Sequence, residues 1–101
     1  MRAASDVFDA IAHPVRRRIV QRLGRGPAAV HELVGNFDIT QQAVSKHLRV
    51  LTDAGVAVSH RRGQENVYYL VPEPLKKVRA WLDSFWNERL ANLKAIAEED
   101  E

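Results

Sequence analysis

The segment from Thr40 to Gly55 splits into two faces at helical spacing, and this split constrains the fold more than any other stretch of the chain. Val44, Leu48 and Leu51 recur at i, i+4 and i+7, with Ala43 and Ala54 alongside, while Gln42, Ser45, Lys46 and Arg49 form the opposite stripe. Such a helix must bury one side in a core and keep the other in water or against a partner. Thr40 is a good N-cap, and Gly55 suits the left-handed position after the last turn, so both ends are specified. One helix cannot cover its own apolar side, so the flanking segments must complete the core.

Ser5 can cap a short first helix carrying Val7, Phe8, Ile11 and Ala12, which Pro14 ends or restarts. Pro14 fits the first turn of a second helix running to about Leu23. Its Val15, Ile19, Val20 and Leu23 face inward, and Arg16, Arg17, Arg18, Gln21 and Arg22 mostly outward. Gly24-Arg25-Gly26-Pro27 is a firm break. A short third helix is expected from about Ala28 to Val34, with a turn over Gly35 to Asp38 before Thr40. From Val56 the chain becomes β-prone to Arg61, turns at Arg62-Gly63-Gln64-Glu65, and is β-prone again from Asn66 to Val71, which reads as a hairpin. After Pro72 and Pro74, a long helix is expected over about Leu75 to Ala97, with Val78, Leu82, Phe85, Trp86, Leu90, Leu93 and Ile96 as a broad apolar band.

This order predicts a mainly α chain with a β-hairpin, the winged helix-turn-helix plan α-α-α-α-β-β-α. At 101 residues the chain is expected to be a single DNA-binding domain over 1–101. Residues 5–12 and 75–97 are read as dimerisation helices, with 98–101 an acidic tail.

Charge distribution supports a nucleic-acid role where the net +2 does not. Residues 10–62 hold nine basic side chains against Glu32, Asp38 and Asp53, whereas residues 63–101 hold five basic and eight acidic. A helix about 10 Å across fits the major groove, and a hairpin beside it can reach phosphates or an adjacent groove. Gln suits adenine, Arg has a fork suited to guanine, and Ser permits close approach. A polar stripe alone is commonly a solvated face; the preceding short helix and turn and the following basic hairpin favour DNA reading. The expected recognition residues are Thr40, Gln41, Gln42, Ser45, Lys46 and Arg49, with Arg61, Arg62, Gln64 and Arg17 for the wing and phosphates. Of Arg16, Arg17 and Arg18, at most one or two can face DNA, because three consecutive positions span much of a helix circumference. His47 reads as a helix-flank histidine held by a nearby group.

Trp81/Phe85 and Leu82/Trp86 point in two adjacent directions, more than one small core needs. The surplus predicts a two-fold homodimer through Phe8, Leu82, Phe85, Trp86, Leu90 and Leu93, and it leaves room for a small-molecule inducer cavity at that interface. Cys is absent, which excludes disulfides and thiolate metal sites. No apolar run approaches membrane length and the N-terminus lacks a signal-peptide core, so a cytoplasmic protein without membrane contact is expected. No nucleophile elbow, phosphate-cradling loop or suitable carboxylate pair stands out, and neither enzyme activity nor a cofactor is expected. The alternative is a winged-helix protein-interaction module, but such a module needs no cationic face like Lys46, Arg49, Arg61 and Arg62.

The run from Asp9 to Val20, which includes Ala12-His13-Pro14-Val15-Arg16, is followed by Val30-His31-Glu32-Leu33, Ala43-Val44-Ser45-Lys46-His47-Leu48, Ala54-Gly55, Arg61-Arg62-Gly63-Gln64 and Tyr68-Tyr69-Leu70. Together they resemble the ArsR/SmtB-type repressors over roughly residues 7 to 90. The resemblance implies a homodimeric winged-helix repressor on a palindromic operator near its own promoter, released by an inducer. The family's best-known inducers are metal ions. Here the stretch Glu32 to Phe37 has no Cys and the last helix has no His, and the four histidines are at least 13 residues apart. The chain is therefore similar to the branch lacking recognised metal ligands, with a comparable Trp81-Leu82-xx-Phe85-Trp86 segment. No metal site is expected, and the releasing signal is non-metal or unknown.

Overall fold

A computed structural model describes residues 6–99, excepting the side chain of Asn87. Its elements are α1 (Val7–Ala10), α2 (Pro14–Leu23), β1 (Ala28–Ala29), α3 (Val30–Asn36), α4 (Gln41–Asp53), β2 (Ala57–Arg62), β3 (Glu65–Leu70) and α5 (Leu75–Glu99).

The two-faced segment is α4. Thr40 Oγ1 accepts from the Ala43 amide at 3.1 Å, which fixes the first turn. At the other end Gly55 takes φ 78°, its amide donates to Thr52 (3.0 Å), and the Val56 amide donates to Leu51 (3.0 Å). This pair of bonds is a Schellman closure, and it delivers the chain straight into β2. Between the caps, Val44, Leu48 and Leu51 are fully buried, in one cluster with Ile19 and Leu23 of α2, Leu33 of α3, and Val56.

α2 begins at Pro14, and His13 Nδ1 accepts from the Val15 amide at 3.1 Å. α1 is a single turn, shorter than the expected 5–12, with Asp6 accepting from the Asp9 amide at 3.0 Å. The Ser5 cap expected from the sequence lies outside the described residues. Arginines of α2 satisfy the carbonyls that the end of α1 leaves open: Arg16 donates to Ala10 and Asp9, and Arg17 to Ile11.

The expected third helix needs correcting at its start. Ala28 and Ala29 form a strand, pairing antiparallel with Tyr68 and Val67 of β3. The hairpin is therefore part of a three-stranded sheet in the order β1-β3-β2. Alanine is the best intrinsic helix former, so the composition pointed the wrong way; the ladder to β3 overrides that preference. The Glu32 carboxylate accepts from the Ala29 amide at 3.0 Å and starts α3 only beyond it. α3 then runs to Asn36, through the expected turn position Gly35. α5 extends through Glu98 and Glu99, two residues into the acidic end, because alanine and glutamate both favour helix.

Only the first turns of α5 pack on the core, through Leu75 and Val78. The rest projects, giving a radius of gyration of 18.1 Å where a compact chain of this size would have about 13 Å. No helix among the described residues is long and apolar enough to cross a membrane. Leu48→Ala should lower the unfolding free energy by about 2–5 kcal/mol, read from urea titration at fixed protein concentration. A loss below about 1 kcal/mol would contradict the seating of α4.

Candidate nucleic-acid interface

Because the core fixes the rotation of α4 about its axis, its opposite side must face outward. Gln41, Gln42, Ser45, Lys46 and Arg49 are all exposed along it. Thr40 is exposed too, with its hydroxyl engaged in the cap. The surface thus presents two amides, a hydroxyl, an ammonium and a guanidinium on about 13 Å of helix, a donor and acceptor set suited to base edges and phosphates.

The wing is the β2–β3 hairpin. Gly63 has φ 64° at the first loop position, as a glycine-first two-residue hairpin requires, and Arg62 stands opposite Glu65. Arg61 and Arg62 are exposed at the tip; Arg61 Nε turns back to the Gly63 carbonyl at 3.2 Å, while among the described residues the Arg62 head makes no such bond. Gln64 and Gln41 share a small cleft with His31 and Glu65, so the wing tip lies beside the start of α4. His31 Nδ1 sits 3.1 Å from a Glu65 oxygen and ties α3 to β3 across this cleft. Arg17 is placed differently. It is exposed on α2, but one amino group is engaged by the Ile11 carbonyl at 2.8 Å.

Behind α4 lies a cluster that no local sequence pattern marks. His47 packs against His13, with ring centroids 4.6 Å apart, and its Nδ1 is 3.3 Å from an Arg16 amino nitrogen. Arg16 can only donate, so Nδ1 accepts and the neutral ring carries its proton on Nε2. The same guanidinium holds Ala10 and Asp9 of α1, so one side chain joins α1 to α4. The expected helix-flank role of His47 fits this placement. His47 and Arg16 are 31 residues apart, a separation that hides the pair from any local pattern.

On the far side, the large apolar side chains of α5 stand in solvent: Leu82, Phe85, Trp86, Leu90 and Leu93 are between 46% and 61% exposed. Phe8 of α1 meets Trp81 edge-on at 5.7 Å, and Trp81 meets Phe85 at 4.9 Å, so α1 and α5 share one apolar face. Among the described residues, no group of three or more His, Cys, Asp or Glu is arranged to hold a metal ion.

Burial lowers the His47 pKa below the ordinary histidine value, and electrostatic repulsion from His13 and Arg16 lowers it further. As pH falls, the unfolded chain takes up this proton first, so stability is lost through the ordinary histidine range. Between about pH 7.5 and 5, the wild-type melting temperature should therefore fall more steeply than that of His47→Gln, which keeps an acceptor for Arg16. Parallel slopes would contradict the assignment.

Comparison with known proteins agrees with this geometry. Residues 11–60 match a helix-turn-helix domain family. The HTH-type transcriptional regulator Rv2034 of Mycobacterium tuberculosis is 35% identical over 99 residues, covering 98% of this chain and 92% of that protein. The transcriptional repressor SdpR of Bacillus subtilis is 33% identical over 84 residues, covering 83% of this chain and 93% of that protein. The crystal structure of the ArsR family transcriptional regulator RHA00566 superposes with a TM-score of 0.72 at 36% identity, covering 84% of this chain and 91% of that one. With the recognition helix, wing and near-full-length relatives in agreement, the chain belongs to the ArsR/SmtB family of winged helix-turn-helix, DNA-binding transcriptional regulators, and it is not an enzyme.

Proposed function

We propose that the chain works in the cytoplasm as a homodimeric repressor, placing two α4 helices on an inverted-repeat operator. The observation that carries this reading is the exposed apolar face shared by α1 and α5. An isologous two-fold contact covers that face on both copies and repeats the polar face of α4 across the axis. Half-site centres then fall about 10 bp apart or at a multiple of that spacing. Chain 1–101 acts as one domain, with α1 and α5 as its dimer helices through Phe8, Leu82, Phe85, Trp86, Leu90 and Leu93.

Gln42, Ser45 and Arg49 read base edges in this arrangement. Thr40 and Gln41 position the helix start, and Lys46, Arg61, Arg62, Gln64 and Arg17 engage phosphates. The alternative of an interaction module without DNA binding loses its footing once the family is established. Repression is favoured by the resemblance and by the described role of SdpR. The releasing signal is not a thiophilic metal, because the chain has no thiolate.

Gln42→Ala and Arg49→Ala should each cost about 1–3 kcal/mol on the operator and much less on random duplex. Equal losses on both duplexes would contradict base reading. Arg62→Ala should weaken both and reduce the slope of log K against log salt by about 1. For the dimer, Leu90→Asp should give monomers in sedimentation equilibrium at protein concentrations where the wild type is dimeric. An unchanged mass would contradict the α5 interface.

A further inference from the structure

Arg18, Arg22 and Arg25 succeed one another at i, i+4 and i+7 along one flank of α2 and the turn after it, with Gln21 beside them. Together with Asn36 and Phe37 at the end of α3, they line a surface cleft of about 270 Å³ with no carboxylate in its wall. The Arg18 guanidinium stacks 4.8 Å from the centre of the Phe37 ring. Arg22 is held by the Gly26 carbonyl at 2.9 Å and by Glu32 at 3.8 Å. Two of the three forks are therefore ordered in advance, which removes part of the entropy cost of gripping a ligand.

An arginine near a helix end often serves only the terminal carbonyls, and Arg22 partly does so through Gly26. That role does not account for the other two. Among the described residues, the Arg18 and Arg25 side chains donate to no acceptor. Glu32 offsets one of the three charges, and the ends of α2 and α3 each contribute at most about half a negative charge. The cleft remains net positive and lined by donors. Guanidinium forks match the non-bridging oxygens of a phosphoryl group, which all its anionic forms present to paired N–H donors.

We propose that this cleft is a binding site for a phosphoryl-bearing anion, supplied by the DNA backbone outside the α4 and wing contacts or by a free phosphorylated small molecule. Phe37 precedes the cap residue Thr40 by three positions, so an occupant clamped against it bears on the turn that leads into α4. This site stands on α2 and α3 and does not depend on the operator reading.

The test titrates the full chain with inorganic pyrophosphate at constant ionic strength, following arginine Nε–H resonances by NMR. Saturable shifts are expected for Arg18 and Arg25, and Arg18→Gln and Arg25→Gln should each weaken binding at least about tenfold. Lys77→Gln, on exposed α5, should leave binding unchanged, and circular dichroism verifies that each variant keeps its helices. Adding random duplex separates the sources: displacement of pyrophosphate assigns the cleft to DNA backbone, and simultaneous binding assigns it to a free ligand. No saturation, or wild-type affinity in both arginine variants, would overturn the proposal.

Discussion

The burial of Val44, Leu48 and Leu51 in the cluster with Ile19 and Leu33 is the contact on which the rest of the molecule depends. It sets the rotation of α4, and so decides that Gln42, Ser45, Lys46 and Arg49 face outward together. The two caps set where the helix starts and stops. Closure at Gly55 then sends the chain into β2 with no slack, so the position of the hairpin follows from the end of α4. The His31–Glu65 pair and the β1–β3 ladder hold the hairpin from its other side. Core packing, helix capping and sheet pairing thus converge on one outcome, a basic surface built from two elements at fixed separation.

α5 obeys a different logic. Its first turns complete the core, but the apolar side chains beyond Trp81 stay about half exposed among the described residues, with Phe85 edge-on to Trp81. These side chains are already about half buried, so covering each contributes about half of the 1.5–3 kcal/mol of full burial, and summed over two copies the gain is comparable with the cost of about 4–15 kcal/mol for bringing two bodies together. A second copy set on this face, as proposed, would cover those side chains. Arg16 gives the two halves a physical link, because it grips the carbonyls of α1, which shares the apolar face, and also touches His47 on α4.

Much of the architecture was legible in the sequence. The α4 stripe, its two caps, the hairpin and the long last helix are local patterns, and each lies within a residue or two of where spacing placed it. The polar face of α4 was legible for the same reason, since exposure follows from the helical period once the buried side is known. The features that were missed are non-local. β1 is two alanines whose strand geometry exists only because Tyr68 and Val67 pair with them. The Arg16–His47 and His31–Glu65 contacts join residues far apart in the chain, and no spacing rule reaches them. Arg17 shows the reverse case: an outward arginine whose exposure was foreseen, but whose hydrogen bond to Ile11 depends on how α1 ends.

The central claim is that two copies of this chain present paired recognition helices to one duplex. The most direct measurement is selection of bound duplexes from a random pool by the purified chain, followed by sequencing. The account predicts enrichment of an inverted repeat with half-site centres about 10 bp apart or at a multiple of that spacing. Enrichment of a single asymmetric site, or recovery of the pool without enrichment, would contradict it.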